Sequence, residues 1–166
     1  MTTGADAGGP LGEMRMLGEY IAREYPQATV FLRLRLGVIQ PVGNHGDLDP
    51  AELRFLSALA RYADAVVILP QEIVIVEAKM RSEPGAIAQL GLYARLAPMT
   101  PDLQPYLNRP IVKELVCSVP DPVVDLLARE SEVRVKVYAP SWLPAWSAKR
   151  NRNKIRAPSP GGLLPR

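Results

Sequence analysis

The amino-acid sequence predicts an α/β fold, a mixed central sheet flanked by helices, and three observations carry that reading. Two β-branched-rich runs, Ala65 to Leu69 and Ile73 to Val76, flank Pro70-Gln71-Glu72 and read as an antiparallel hairpin with a short turn. Both faces of this hairpin are apolar: Val66, Ile68, Ile73 and Ile75 on one, Ala65, Val67, Leu69, Val74, Val76 and Ala78 on the other. Such strands belong to a sheet covered on both sides. Helical segments then alternate with further strand-like runs, and crossover helices imply parallel pairings. The expected order is helix, strand, short helix, hairpin, helix, strand, helix, strand.

Residues 1–10 are small and Gly-rich and are expected to be flexible. A helix follows from about Leu11 to Tyr25, with Leu11, Met14, Leu17, Ile21, Ala22 and Tyr25 on one stripe, and it stops at Pro26. Thr29 to Leu36 alternates strictly, Val30, Leu32, Leu34 and Leu36 on one face and Phe31, Arg33 and Arg35 on the other. This predicts a strand running to about Ile39. The loop Gln40 to Leu48 holds the only histidine, His45, a surface residue unless carboxylates from elsewhere join it. Asp49, Pro50 and Glu52 supply the N-cap, first-turn proline and capping acid of a short helix to about Arg61. Beyond the hairpin, Ser82 caps a helix through about Leu96, and the proline-spaced stretch Pro98 to Pro110 reads as a loop. Ile111 to Val119 is a strand, Asp121-Pro122 caps a helix to about Glu130, and Val133 to Tyr138 is a last strand with Val133, Val135 and Val137 inward. Trp142 and Trp146 read either as a closing cap on the core or as a patch for a partner.

At 166 residues, 48 % hydrophobic and 22 % charged, the chain suits one domain with one sizeable core, placed at 11–146. No apolar run is long enough to span a bilayer and the first residues lack the regions of a signal peptide, so a cytoplasmic location is expected and no membrane partner. Cys117 is the only cysteine, which excludes an intrachain disulfide and a cysteine-built zinc site. Charge is uneven. Residues 147–166 carry Lys149, Arg150, Arg152, Lys154, Arg156 and Arg166 with no acid, leaving 14 basic against 17 acidic residues elsewhere. This Pro- and Gly-containing tail reads as an arm that meets an anionic surface, or as a solubilising segment.

The hairpin also places chemistry. Asp64 opens its first strand, and Glu77 and Lys79 close its second. An even-length loop centred on Pro70-Gln71 pairs residues whose numbers sum to 141, so Asp64 stands opposite Glu77 with Cβ atoms about 5 Å apart. A three-residue loop would instead pair Asp64 with Ala78. Lys79 projects from the same face as Glu77 because strand side chains alternate with period two. Two facing carboxylates repel, and a divalent cation between them removes that cost. Glu77 and Lys79 alone would be an ordinary ion pair at a strand end; Asp64 in register changes their meaning. On the next helix Gln89 and Tyr93 share a face at i, i+4, which either looks back toward Lys79 or lines a polar edge. Glu13 borders the buried stripe of the first helix.

In this order, Asp64, an apolar hairpin and Glu77-Ala78-Lys79 resemble the D…(D/E)-x-K signature of the PD-(D/E)xK nuclease superfamily. Gln89 to Tyr93 is similar to the glutamine-to-tyrosine element of its RecB-type exonuclease branch. The resemblance spans roughly residues 10–120, its specific motifs only 64–93, and Ala63 stands where the superfamily often has proline. It implies a restriction-endonuclease-like α-β-β-β-α-β core with a helix and strand added at the end. It further implies catalytic roles for Asp64, Glu77, Lys79, Gln89 and Tyr93. The metal ligands it implies are Asp64, Glu77 and the carbonyl of Ala78, with a first-helix glutamate, Glu13, completing the set. Oxygen-only ligands suit Mg²⁺ or Mn²⁺.

The function expected is therefore a divalent-metal-dependent nuclease hydrolysing DNA phosphodiester bonds, with Lys149, Arg150, Arg152, Lys154 and Arg156 touching phosphates. The alternative is a structural or docking protein, such as a phage neck or DNA-packaging component, that keeps the nuclease-like fold with little or no catalysis. The partners expected are DNA and, on the second reading, proteins of a DNA-processing or virion assembly, which would place a phage-encoded chain in the virion.

Overall fold

The structure, a computed structural model, describes residues 10–37, 61–145 and 147–148. The expected flexible segment before Pro10, the loop with His45, the short helix from Asp49, Trp146 and the basic residues Lys149 to Arg156 lie outside the described residues. Helix α1 (Pro10–Glu24) is followed by strands β1 (Thr29–Leu36), β2 (Arg61–Ile68) and β3 (Ile73–Arg81). Helix α2 (Pro84–Leu96), strand β4 (Ile111–Val119), helix α3 (Pro122–Glu130) and strand β5 (Val133–Val137) complete the order. The five strands lie in the sheet in chain order; β2 runs antiparallel to its neighbours β1 and β3, and β3, β4 and β5 run parallel. The fold is thus α/β with a mixed sheet, and its first elements follow the α-β-β-β-α-β order.

Both sheet faces are covered. On one, α2 and α3 pack Ala86, Ile87, Leu90, Tyr93, Val124 and Ala128 against Val66, Ile68, Ile73, Ile75 and Leu115. Two successive parallel steps in one direction put both crossover helices on one side when each takes the usual hand. On the other face α1 lays Met16, Leu17, Tyr20 and Ile21 over Val67, Val74, Val76 and Val116. The buried stripe of α1 is therefore rotated from the expected one: Leu11 is mostly exposed and Ala22 faces solvent, while Met16 and Tyr20 are buried.

Other boundaries differ for local reasons. Ser82 does not cap α2; its Oγ accepts from the Asp121 N–H at 2.7 Å, and Glu83 occupies the cap position without a side-chain bond. The proline-spaced stretch holds two short 3₁₀ segments, Ala97–Met99 and Pro101–Tyr106, because proline at a first or second helical position sacrifices no hydrogen bond there. Asp121 caps α3 as expected, accepting from the Val123 N–H at 2.9 Å. In β5, the edge strand, Val133 is buried as expected but Val137 is exposed. Trp142 closes the α1 side: its indole N–H donates to Glu19 at 2.9 Å and the Arg15 guanidinium lies over its ring.

The hairpin has the predicted register. The Leu69 N–H donates to the Glu72 carbonyl at 2.9 Å, and pairs summing to 141 run from Ile68 and Ile73 to Ala65 and Val76. There the pairing stops, although both strands continue, so the expected pair of Asp64 opposite Glu77 does not form. Arg61 to Ala63 stay paired with β1, and Glu77 to Arg81 with β4, apart from Met80 in the second ladder. The sheet forks between β2 and β3.

A second irregularity sits opposite the fork. Arg33 has φ +51°, and its expected pairing with Asp64 is missing from a register otherwise intact on either side. The left-handed residue exchanges the faces of β1. Val30 packs on the α1 side, whereas Leu34 and Leu36 pack with Phe31 on the α2 side, so the predicted strict alternation fails. The strain costs on the order of 1 kcal/mol, and burying Leu36 to 3 % exposure returns about 2 kcal/mol. β2 turns over at the same level: Ala63 packs on the α2 side and Ala65 on the α1 side, two residues that a regular strand would put together.

Candidate active site

Asp64 lies between those two alanines, at the turnover, and does not open β2 as expected but stands fourth in it. Its side chain points along the sheet into the fork. Because Leu69 bonds Glu72, even-numbered residues of β3 direct their N–H and C=O groups toward β2. Past Val76 no strand answers them, and carboxylates do so instead. Asp64 Oδ2 accepts from the Ala78 N–H at 3.0 Å, and Glu13 Oε1, reaching around from α1, accepts from the Met80 N–H at 3.1 Å. Buried main-chain donors at a strand edge need partners, so these two acids terminate the β3 edge as well as lining the fork. The carbonyl of Ala78 shares the edge of its N–H and also faces the fork.

Glu77 enters from the α2 side, in line with Ile73 and Ile75. It is 3 % exposed, and its Oε2 has no hydrogen-bond partner among the described residues. Its Oε1 holds the Lys79 ammonium at 3.3 Å; Glu83 lies 3.8 Å from the same nitrogen. Burial, then the neighbouring Asp64 charge, push the Glu77 carboxyl up to about 7, against the opposing pull of Lys79. For Lys79 burial acts downward, but the charges of Glu77 and Glu13 outweigh it, so its pKa is raised and it stays protonated. Tyr93 on α2 also faces this field: burial, then Glu77 and Asp64, raise its phenol to about 12, leaving it a neutral donor. Gln89 is exposed one turn earlier, its amide 3.5 Å from the Tyr93 hydroxyl, too long for a strong bond.

The structure therefore brings Asp64, Glu77, Ala78 and Lys79 together, with Glu13 arriving from one layer and Tyr93 from the other. Among the described residues, no group of three or more His, Cys, Asp or Glu side chains is arranged to hold a metal ion. The orphaned Glu77 oxygen is the observation that fits a cation, because a buried carboxylate with an unanswered lone pair and a raised pKa gains most from one.

Sequence reasoning missed a second buried acid. Glu114 on β4 is fully buried under α1, where the Tyr20 hydroxyl donates to Oε1 at 2.8 Å and the Tyr25 hydroxyl lies 3.0 Å from Oε1 and 3.1 Å from Oε2. Burial raises its pKa and the two tyrosine bonds pull the other way. A lone acid in the apolar run IVKELVCSV was the available signal, but its tyrosine partners lie about ninety residues away.

No protein-family model matches the chain, and no curated protein does. Among solved structures, the crystal structure of a repair endonuclease from Pyrococcus abyssi aligns with a TM-score of 0.45 at 15 % identity, over 76 % of this chain and 46 % of that one. The chain spans less than half the length of that structure, and a likeness so loose carries no argument about what this chain does.

Proposed function

We propose that the protein is a divalent-metal-dependent nuclease hydrolysing DNA phosphodiester bonds, with motifs closest to the RecB-type branch of the PD-(D/E)xK superfamily. The observation that supports this best is the fork. Two acids and a lysine of the D…(D/E)-x-K pattern meet at an open strand edge, and one acid oxygen there has no partner among the described residues. Asp64, Glu77 and the Ala78 carbonyl would hold Mg²⁺ or Mn²⁺; Mg²⁺ commonly takes one or two carboxylates and fills the rest with water, which two acids and a carbonyl suit. The ion, when bound, supplies charge to polarise the phosphate and to acidify a water.

The chain's own groups do the rest. Lys79, held protonated by Glu77 and Glu13, would stabilise charge developing on a phosphate oxygen. Glu13 and Asp64 hold the β3 edge open and fix the direction of the Ala78 carbonyl. Tyr93 offers a neutral hydroxyl beside the two acids, and Gln89, exposed one turn earlier on α2, would contact the substrate backbone. Among the described residues no helix is long and apolar enough to cross a membrane.

The test is cleavage of linear and supercoiled DNA with Mg²⁺ or Mn²⁺ by the wild type and by Asp64→Asn, Glu77→Gln and Lys79→Ala. Each variant should lose cleavage while keeping its circular dichroism spectrum. Wild-type rates in any one of them remove that residue's role. A wild type that cleaves nothing with either ion favours the docking reading.

A further inference from the structure

The exchange of faces at Arg33 has a result outside the fork. Since Leu34 and its partner Ala63 pack on the α2 side, the next pair, Arg35 and Tyr62, projects from the α1 side. Leu32, paired with Ala65, faces the same way. α1 lies over β3 and does not cover this end of β1 and β2: Leu32 is 58 % exposed, Tyr62 is 41 % exposed, and Arg35 is exposed too. Neither Arg33 nor Arg35 has an ion-pair partner among the described residues. An exposed aromatic ring, an exposed leucine and the Arg35 guanidinium thus share a sheet surface that begins two residues from Asp64.

We propose that this surface seats single-stranded DNA flanking the scissile phosphate, a proposal that rests on the nuclease reading for the path of the strand into the fork. Tyr62 stacks on a base, Leu32 forms the apolar floor beside it, and Arg35 binds a phosphate. The pairing of ring and cation on an open sheet face is what unpaired nucleotides recognise, since every base has a face to stack and every linkage a charge. A duplex keeps its bases stacked on each other and offers such a surface only phosphates, so the exposed ring and leucine select against it. A basic surface alone would have fitted either. The strained residue has a purpose on this account: without the inversion Arg35 would lie on the Phe31 side and Leu34 in solvent.

The test measures binding of fluorescent oligothymidine, and of a duplex of equal length, to the full chain in EDTA, so that no cleavage occurs. Tyr62→Ala should weaken single-strand binding about tenfold or more with an unchanged salt slope, and Tyr62→Phe should stay within about twofold of wild type. Arg35→Ala should weaken binding and flatten log K against log salt by about 0.7, the single-strand value for one neutralised phosphate. Duplex binding should be unmoved by Tyr62→Ala. The proposal is overturned by a wild type that does not bind oligothymidine, by Tyr62→Ala binding as wild type, or by equal losses on duplex and single strand. If instead these losses appear as expected while the wild type with Mg²⁺ cleaves nothing, the surface stands and the nuclease reading falls.

Discussion

Replacing Glu77 by glutamine should stabilise the metal-free protein, although it removes an ion pair with Lys79. The carboxyl is 3 % exposed, and its pKa rises from 4.5 unfolded to about 7 folded, first through burial and then through Asp64. Ionisation in the folded state is therefore penalised. Because the folded pKa lies above the unfolded one, the stability associated with this group is fully present below about pH 4.5 and is lost as pH rises through about 7. A shift of that size corresponds to about 3 kcal/mol at pH 8, with the help of Lys79 already included. Glutamine stays neutral throughout. In EDTA the variant should match the wild type at pH 4 and exceed it by about 3 kcal/mol at pH 8, roughly 6 to 12 °C in melting temperature. Urea unfolding followed by circular dichroism across pH 4 to 8 measures this. Adding Mg²⁺ should raise the wild type alone, by about 2.7 kcal/mol at a hundredfold excess over its dissociation constant. A variant less stable than wild type at pH 8, or a difference that does not change with pH, would refute the claim that Glu77 is held against its own desolvation.

Tyr20→Phe should cost about 1.5–3 kcal/mol, the worth of a hydrogen bond to a buried charged group, because Glu114 would keep only Tyr25. That cost should grow with pH in chemical denaturation, since burial already raises the Glu114 pKa and removing the Tyr20 hydroxyl raises it further; a flat pH dependence would count against it. Arg33→Gly should raise the melting temperature, worth up to about 1 kcal/mol, by relieving the positive φ; a drop would show that the arginine side chain holds the fork together. Deleting residues 147–166 should weaken duplex binding and reduce the salt slope by about 0.9 for each phosphate the tail neutralises, and unchanged affinity and slope would point the basic tail to an acidic protein surface.

Most of the architecture was legible in the sequence because its determinants are local. The Pro70-Gln71 turn set the register from Ile68 and Ile73 to Ala65 and Val76, one step short of the expected Asp64–Glu77 pair, period two put Lys79 beside Glu77, and Asp121-Pro122 marked the start of α3. The apolar hairpin required cover on both faces, and α1 on one side with α2 and α3 on the other provide it. These features depend on neighbours a few residues apart, where pattern and propensity act.

Tertiary structure decided the rest, through packing between distant segments. Strict alternation in Thr29 to Leu36 said that Leu34 and Leu36 share a face with Val30, but the space under α2 was worth more than the strain at Arg33, and nothing local records that. The stripe of α1 rotated because Tyr20 and Tyr25 found Glu114, and Ser82 left its helix to bond Asp121. The fork could not be read at all: β2 and β3 pair only while both gain from it, and past Val76 the Ala78 and Met80 N–H groups take Asp64 and Glu13 instead. The sequence named the acids and the lysine from their spacing. Only the packed chain, by ending one ladder early, turned acids from two different elements toward a common edge, because that edge's main-chain donors had to be answered and no strand remained to answer them.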